Sequence, residues 1–267
     1  MGIFEQITNL IREGDKEKIL KKSGVELTEA EIQKRLTRLG DLDKIAEKIE
    51  FPFKPNLSNR KPSEVIEALA CLVIKLERDL STYDTILSDD VSGRLPSLFL
   101  RELINRIRSK AGKEPVKTYF LAAGRYWWLI EKDKAIRNFL VGKKKEIGKA
   151  LVVTEYIESG HGITRLMELL KELGINFDVA AVSADSNSAD YIQKFGNIFK
   201  KVRYGKECSR IGLSFHSARE RYSGVRKHPE SISAHPEAVS LEDRSSLVRA
   251  REDANFLAEE FFNKLLD

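Results

Sequence analysis

Several features that mark common protein classes are missing from this sequence. Its 267 residues include two cysteines, Cys71 and Cys208, so we predict neither a disulfide framework nor a cysteine-based zinc site. No apolar run approaches the roughly 18 residues that a membrane-spanning helix requires. The first residues show no basic segment followed by an apolar stretch, so no signal peptide is predicted. These absences favour a cytoplasmic protein that makes no membrane contact.

The fingerprints of two common nucleotide sites are missing as well. The sequence contains neither Gly-x-x-x-x-Gly-Lys-Ser/Thr nor Gly-x-Gly-x-x-Gly, and its four histidines do not have metal-ligand spacing. The 42% of hydrophobic residues is enough for a substantial core. The formal net charge of +5 is compatible with an ordinary solvated surface or with attraction to polyanions. Those polyanions could be phosphorylated metabolites or nucleic acid.

The first quarter of the chain reads as a helical extension. Residues 1–50 are polar with helical periodicity, and Thr28 and Glu31 have the spacing of a capping box. Prolines between residues 51 and 62 disfavour helix and mark a connector. We therefore predict a helical extension over residues 1–60, an α/β domain over 61–240, and a C-terminal helix over 241–267.

From Tyr83 onward, predicted strands alternate with predicted helices. The strands are Thr85–Leu87, Val116–Ala122, Ala150–Val153, Val179–Ser183 and Ile198–Tyr204. The intervening segments are helices at Ser97–Arg108, Thr164–Leu173 and Ala189–Phe195, and a charged helix or loop at Lys132–Val141. This alternation predicts a parallel, Rossmann-like sheet of about five strands that is covered on both faces. Ligands of such sheets bind beyond the carboxyl ends of the strands.

The most informative stretch is residues 150–164. We expect its strand to end in an acidic loop of small residues, including Glu155 and Glu158, before a periodic helix begins. A loop that leads into a helix N-terminus favours phosphate binding, because the first N–H groups of the helix have no partner inside it. The carboxylates add groups that could bind sugar hydroxyls, a metal or a proton.

Two other loops follow predicted strands and carry arginine. The first, Ser88–Pro96, includes Gly93, which could permit a tight turn, and Arg94, which could bind a phosphate through two hydrogen bonds. The second places Arg125 just after a strand. The stretch from residue 129 to Lys149 is long for a simple crossover, and it could close over an anionic ligand.

In this order, the three loops resemble those of the type I phosphoribosyltransferases. These enzymes transfer ribose 5-phosphate from phosphoribosyl pyrophosphate (PRPP) to a nitrogen base and release pyrophosphate. The resemblance covers roughly residues 83–205. It is carried by the apolar run Leu151–Val153, the pair Thr154–Glu155 and the loop Glu158–Gly162.

The resemblance implies catalytic roles for three residues. Glu155 would bind the ribose hydroxyls and Mg²⁺, Glu158 would lie near the reacting base nitrogen, and Arg125 would meet the pyrophosphate. It further implies a homodimer, a hood over the base at residues 205–240, and a water-excluding lid at 129–149.

The resemblance also implies a set of substrate-binding residues. Ser92, Gly93 and Arg94 would form the pyrophosphate loop. The 5′-phosphate would be held by Ser159, Gly160, His161 and Gly162. Thr154 would be a substrate-binding residue in a position where the family carries an acid.

Two departures from the family pattern leave a second hypothesis open. Thr154 replaces the first acid of the pair, and Gly162 replaces the closing threonine, although Thr164 is nearby. The first hypothesis is a phosphoribosyltransferase that acts on PRPP in nucleotide metabolism. The alternative is a non-catalytic, nucleotide-sensing regulator, whose basic segment at residues 219–227 could contact RNA or DNA. Another phosphosugar- or nucleotide-binding α/β protein is a third option.

Overall fold

A parallel five-stranded sheet forms the centre of this protein, for which we have a computed structural model. The structure describes residues 27–49, 61–88, 93–121, 130–157, 161–185, 202–207, 225–226, 237–238 and 241–266. The strands are β1 Thr85–Ser88, β2 Lys117–Phe120, β3 Ala150–Ile157, β4 Phe177–Ala184 and β5 Val202–Glu207. Their order across the sheet is β2-β1-β3-β4-β5, and every neighbouring pair is parallel. The predicted sheet of about five parallel strands is therefore confirmed.

Helices cover both faces of this sheet. They are α1 Glu29–Leu36, α2 Leu42–Ala46, α3 Pro62–Leu76, α4 Arg94–Lys110, α5 Ile130–Ile147, α6 His161–Glu172 and α7 Leu241–Phe261. One buried cluster joins α1, α2, α3, α4 and α7 to one face of the sheet, and a second joins α5 and α6 to the other. Parallel strands require such crossover helices, and strands enclosed on both faces must be apolar on both.

The central strands meet that requirement. Leu151 and Val153 of β3 belong to the first cluster, whereas Ala150 and Val152 belong to the second. All four side chains are completely buried. Because alternate side chains of a strand point to opposite faces, a continuous apolar run is the expected pattern for this position.

The N-terminal helices pack into the core of the α/β domain. Thr28 and Glu31 form the predicted capping box at the start of α1, with reciprocal hydrogen bonds between side chain and backbone. Ile32 and Leu36 of α1 lie in the same buried cluster as α3. The prolines of the predicted connector lie outside the described residues, apart from Pro62 at the first position of α3.

Element boundaries differ from the prediction in two places that matter for the site. β3 continues through Ile157 instead of ending at Val153, and the segment predicted as a charged helix or loop at Lys132–Val141 is a regular helix of 18 residues, α5. Ile136 and Leu140 of α5 are buried against the sheet, which explains why this segment is helical. The predicted helix Ala189–Phe195 lies outside the described residues.

A short antiparallel ladder completes the fold. It pairs β6, Val225–Arg226, with β7, Glu237–Ala238, within the predicted hood segment. The rest of the basic segment 219–227 lies outside the described residues. Across the described ranges, the model contains no helix of the length and apolarity that a bilayer crossing demands.

Candidate functional site

The strand order reverses direction between β1 and β3. The chain proceeds from β1 outward to β2 in one direction, and from β3 outward to β4 and β5 in the other. The helices that follow the two strands accordingly lie on opposite faces, α4 in the first cluster and α6 in the second. A crevice opens at such a switch point beyond the carboxyl ends of the strands, and it is the usual ligand site of open α/β sheets.

The junction of β1 and α4 forms one wall of this switch point. β1 ends at the buried Ser88, and Gly93 is the N-cap of α4. Gly93 has no side chain to cap the helix, and no other side chain among the described residues caps it. The Oγ of Ser97, in the first turn of α4, is buried and has no hydrogen-bond partner in the described structure. Uncapped N–H groups and a buried hydroxyl are suited to binding an anion at this helix N-terminus.

Arg94 is buried at the same junction. It is the first residue of α4 and is only 3% exposed. Its guanidinium carbon lies 4.2 Å from the centre of the Phe120 ring, at the end of β2. Stacking on an aromatic face holds a guanidinium in a fixed plane, which is the geometry needed to bind a phosphate bidentately.

Thr154 and Glu155 lie on β3 rather than in a loop. Ser88, the last residue of β1, pairs with Val153, so these two residues extend just past the end of β1. On its other side, β3 remains paired with β4 from Ala150 to Ile157. These backbone hydrogen bonds keep the segment extended, although its residues are polar. The structure thus corrects the predicted loop and retains both residues at the switch point.

The two side chains are buried on opposite faces. Glu155 is 0% exposed. Because alternate side chains of a strand point to opposite faces, it lies on the same face as Leu151 and Val153, which pack on the α4 side of the sheet. Thr154 is 2% exposed and lies on the opposite face of the sheet. A buried carboxylate requires compensation by partners, and Glu155 has interactions in the structure. Glu155 and Arg94 are thus two buried charged residues on the same side of the switch point.

The residues predicted to bind phosphate divide into a described and an undescribed group. His161 and Gly162 form the first turn of α6 instead of belonging to the preceding loop. Glu158, Ser159 and Gly160 lie outside the described residues, as do Ser92 and Arg125. The backbone of α6 therefore begins at His161, shortly after β3 ends at Ile157.

The lysines of the predicted lid lie at the opposite end of the sheet. Lys143, Lys144 and Lys145 form the last turns of α5, which leads within three residues into the start of β3. A crossover helix runs antiparallel to its strands, so this end of α5 lies at the amino edge of the sheet. These lysines are therefore far from the crevice, and the lid interpretation was wrong for the described part of the segment.

Sequence reasoning missed a polar pair between the end of β3 and the residue after β4. The hydroxyl of Tyr156 donates a hydrogen bond of 3.1 Å to the carboxylate of Asp185, the residue that follows β4. Ser183 lies opposite Tyr156 in the register and is completely buried. Asp185 directly follows a buried apolar strand. Because ligands of parallel sheets bind beyond the carboxyl ends of the strands, the same search for polar residues after strands could have identified it.

The described residues fit Mg²⁺ only in combination with a ligand. They contain no group of three or more His, Cys, Asp or Glu side chains arranged to hold a metal. Of the two carboxylates predicted for the site, Glu155 lies within the described residues and Glu158 does not. Mg²⁺ commonly binds through one or two carboxylates plus substrate phosphates, so a single carboxylate is compatible with that mode of binding.

Comparisons with known proteins return one structural similarity. No family model matches the chain, and no curated protein matches it. The structure is similar to the crystal structure of orotate phosphoribosyltransferase from Aeropyrum pernix, with a TM-score of 0.32 and 14% sequence identity. The alignment covers 61% of this chain and 91% of that chain.

Proposed function

We propose that the switch point between β1 and β3 binds PRPP or a nucleoside monophosphate, and that the protein transfers ribose 5-phosphate to a nitrogen base. The observation that carries this proposal is the position of Gly93–Arg94 at the start of the helix that follows β1, and of Thr154–Glu155 on β3 just past the end of β1. The motif of residues 151–164 supports PRPP as the ligand through its resemblance to the type I phosphoribosyltransferases.

In this proposal, Arg94 stabilises the departing pyrophosphate. Negative charge develops on the departing pyrophosphate as its bond to the ribose breaks. A guanidinium that is already held in place stabilises that charge without having to reorganise. The stack on Phe120 supports preorganisation, and the uncapped start of α4 supplies further N–H donors. Mg²⁺, when bound with the ligand, would neutralise pyrophosphate charge.

Glu155 and the start of α6 would hold the ribose 5-phosphate. A carboxylate accepts hydrogen bonds from the two ribose hydroxyls, and the first N–H groups of α6 suit the 5′-phosphate. Holding the sugar at both ends orients its reactive carbon toward the base. The sequence resemblance adds four further residues to the proposed ligand site: Arg125, Glu158, Ser159 and Gly160.

One observation favours the second function, binding without turnover. Residue 154 is a buried threonine, so it supplies a hydroxyl where a catalytic member of the family carries a carboxylate. A protein that keeps the phosphate cradle but has one carboxylate fewer would bind the nucleotide and stabilise the charged transition state less well. Such a protein would act as a nucleotide sensor.

Two measurements on the same protein separate these functions. PRPP with Mg²⁺ is titrated calorimetrically, and pyrophosphate release is followed in the presence of a pool of nucleobases. Binding with release supports the transferase, whereas binding without release supports the sensor. No binding of PRPP, of nucleoside monophosphates or of pyrophosphate contradicts both.

A further inference from the structure

A second cleft lies away from the switch point. It has a volume of about 430 Å³ and is bounded by α1, by the end of α3 and the turn after it, and by the first residues of β5. Residues 74–79 lead into β1, and Val202 is the first residue of β5, so the cleft lies toward the amino half of the sheet. The candidate site lies beyond the opposite, carboxyl edge. Its volume falls in the range of roughly 300–1,000 Å³ that is typical of small-molecule sites.

The acidic side chains of this cleft all have partners. Glu29 accepts a hydrogen bond from Gln33, Glu77 pairs with Arg35, and Asp79 pairs with Lys149. The charges of Glu77 and Asp79 are therefore partly compensated by neighbouring cations, which reduces their repulsion of an incoming anion.

Two arginines on the cleft wall have no such compensation. Arg78 and Arg203 line the cleft, and neither makes a hydrogen bond or an ion pair with any residue in the described ranges. Arg78 is exposed and Arg203 is half-buried. The nearby end of α3 contributes a partial negative charge of about half an electron, which is smaller than the two guanidinium charges.

The charge balance limits the kind of anion. The cleft walls carry four cationic side chains, Arg35, Lys75, Arg78 and Arg203, and three acidic ones. An excess of one positive charge suits a single phosphate group better than an extended polyanion such as nucleic acid, which binds through many phosphate contacts. Two guanidinium groups can contact one phosphate through several charge-assisted hydrogen bonds.

The remaining wall is apolar and aromatic. Ile32, Ile74 and Val202 line the cleft together with Tyr204. The ammonium of Lys75 lies 5.0 Å from the centre of the Tyr204 ring and donates hydrogen bonds to the carbonyls of Tyr204 and Gly205. These contacts tie the end of α3 to β5, and they leave a wall against which a sugar or heterocyclic ring can pack.

We propose that this Arg78–Arg203 cleft binds a small organic phosphate monoester of the nucleoside monophosphate class. It is a second ligand site, distinct from the switch point and independent of the function proposed there. Its position toward the amino half of the sheet suits a regulatory ligand rather than a reacting one.

The test is calorimetric titration with adenosine 5′-monophosphate, using adenosine as the uncharged control. Arg78→Gln and Arg203→Gln are each expected to weaken binding at this site by about tenfold, because each removes charged hydrogen bonds to the phosphate. The double variant should lose the site. Arg38→Gln is the matched control, since Arg38 is exposed, does not line the cleft and has no partner within the described part of the chain. It should bind within twofold of the unmodified protein.

Amide resonances locate the site and separate it from the switch point. Adenosine 5′-monophosphate should shift the amide signals of residues 202–204 in the unmodified protein and in Arg94→Gln, but not in the double variant. Unchanged shifts of the 202–204 amides in the double variant, equal losses of those shifts in Arg38→Gln, or adenosine binding as tightly as its monophosphate would each overturn the proposal. Shifts confined to the amides of residues 93–95 and 97, with none at 202–204, would place the nucleotide at the switch point and would also overturn the second site.

Discussion

The guanidinium carbon of Arg94 lies 4.2 Å from the centre of the Phe120 ring. Arg94 begins α4 directly after the loop that follows β1, and Phe120 is the last residue of β2, opposite Ser88 in the register. The contact therefore joins two neighbouring strand ends through a cation that is almost completely buried. A desolvated cation–π contact stabilises by about 2 kcal/mol.

Replacing Arg94 by glutamine should affect both stability and ligand binding. We expect the free energy of unfolding to fall by about 1–2 kcal/mol through loss of the stack. PRPP affinity should fall at least about tenfold through loss of a charged contact. Denaturant titration and calorimetry measure the two effects.

Two further variants make the Arg94 result specific. Arg94→Lys keeps the charge but cannot offer the planar, bidentate group, so it should recover only part of the affinity. Arg101→Gln, on the same helix, removes an arginine that is paired with Glu102 on a partly exposed surface. Equal PRPP affinities in Arg94→Gln and Arg101→Gln would argue against the pyrophosphate role.

Glu155→Gln tests whether a buried carboxylate binds sugar or only supports the fold. The change preserves shape and removes the charge of a side chain that is 0% exposed. If Glu155 holds the ribose hydroxyls, PRPP affinity should fall by about tenfold while pyrophosphate affinity stays within a few-fold. A stability loss with unchanged affinity of the folded protein for PRPP would assign Glu155 a purely structural role.

Three glycines should respond to alanine in different ways. A Cβ at Gly205 would lie 2.0 Å from the carbonyl oxygen of Ala68, so Gly205→Ala should cost about 3 kcal/mol of stability. Gly112 has a φ of +64° and open space around it, so alanine there should cost about 1 kcal/mol through backbone strain alone. Gly142 lies within α5 with neither restriction, and alanine should stabilise by roughly 0.5–1 kcal/mol.

Thermal or denaturant unfolding of these three variants ranks them directly. A Gly205→Ala protein as stable as the unmodified one would mean that α3 and β5 do not approach as closely as described. Far-UV circular dichroism confirms that each variant keeps the helices.

Cys71 should make the protein less stable at alkaline pH. Burial raises the pKa of its thiol from 9.0 to about 11, and the charge of Glu67 adds to this rise whereas Lys75 opposes it. Below pH 9 both folded and unfolded states hold the proton, so the full stability is present. Between pH 9 and 11 the unfolded state releases the proton first, and stability falls by an amount on the order of 2–3 kcal/mol.

Comparison with Cys71→Ala isolates this contribution. The stability difference between the unmodified protein and the variant should shrink as pH rises from 8 to 11, because other titrating groups are common to both. A difference that stays constant with pH would show that the thiol keeps its ordinary pKa in the folded state.

Local patterns predicted much of the fold and part of the site. The apolar run at Leu151–Val153 identified β3, and the capping box at Thr28 identified the start of α1. Gly93 and Arg94 were predicted in the loop after β1, whereas Gly93 is the N-cap of α4 and Arg94 is its first residue. Such features depend on neighbours within a few residues, so they can be read from the sequence.

The end of β3 could not be read in the same way. Thr154 and Glu155 are polar and precede small residues, which is the pattern of a loop. Their extended conformation depends on pairing with β4, as in the register of Thr154 with Ala181. That partner lies more than 20 residues away in the chain, and a local pattern contains no information about it.

The sequence by itself determined the order of strands and helices, since hydrophobic periodicity sets each element locally. Only the tertiary structure decided the strand order β2-β1-β3-β4-β5, which places the switch point between β1 and β3. It also brought Arg78 and Arg203 to one cleft across 124 intervening positions of chain. Both outcomes depend on long-range pairing and packing, whose free energies are shared among residues that are remote in sequence.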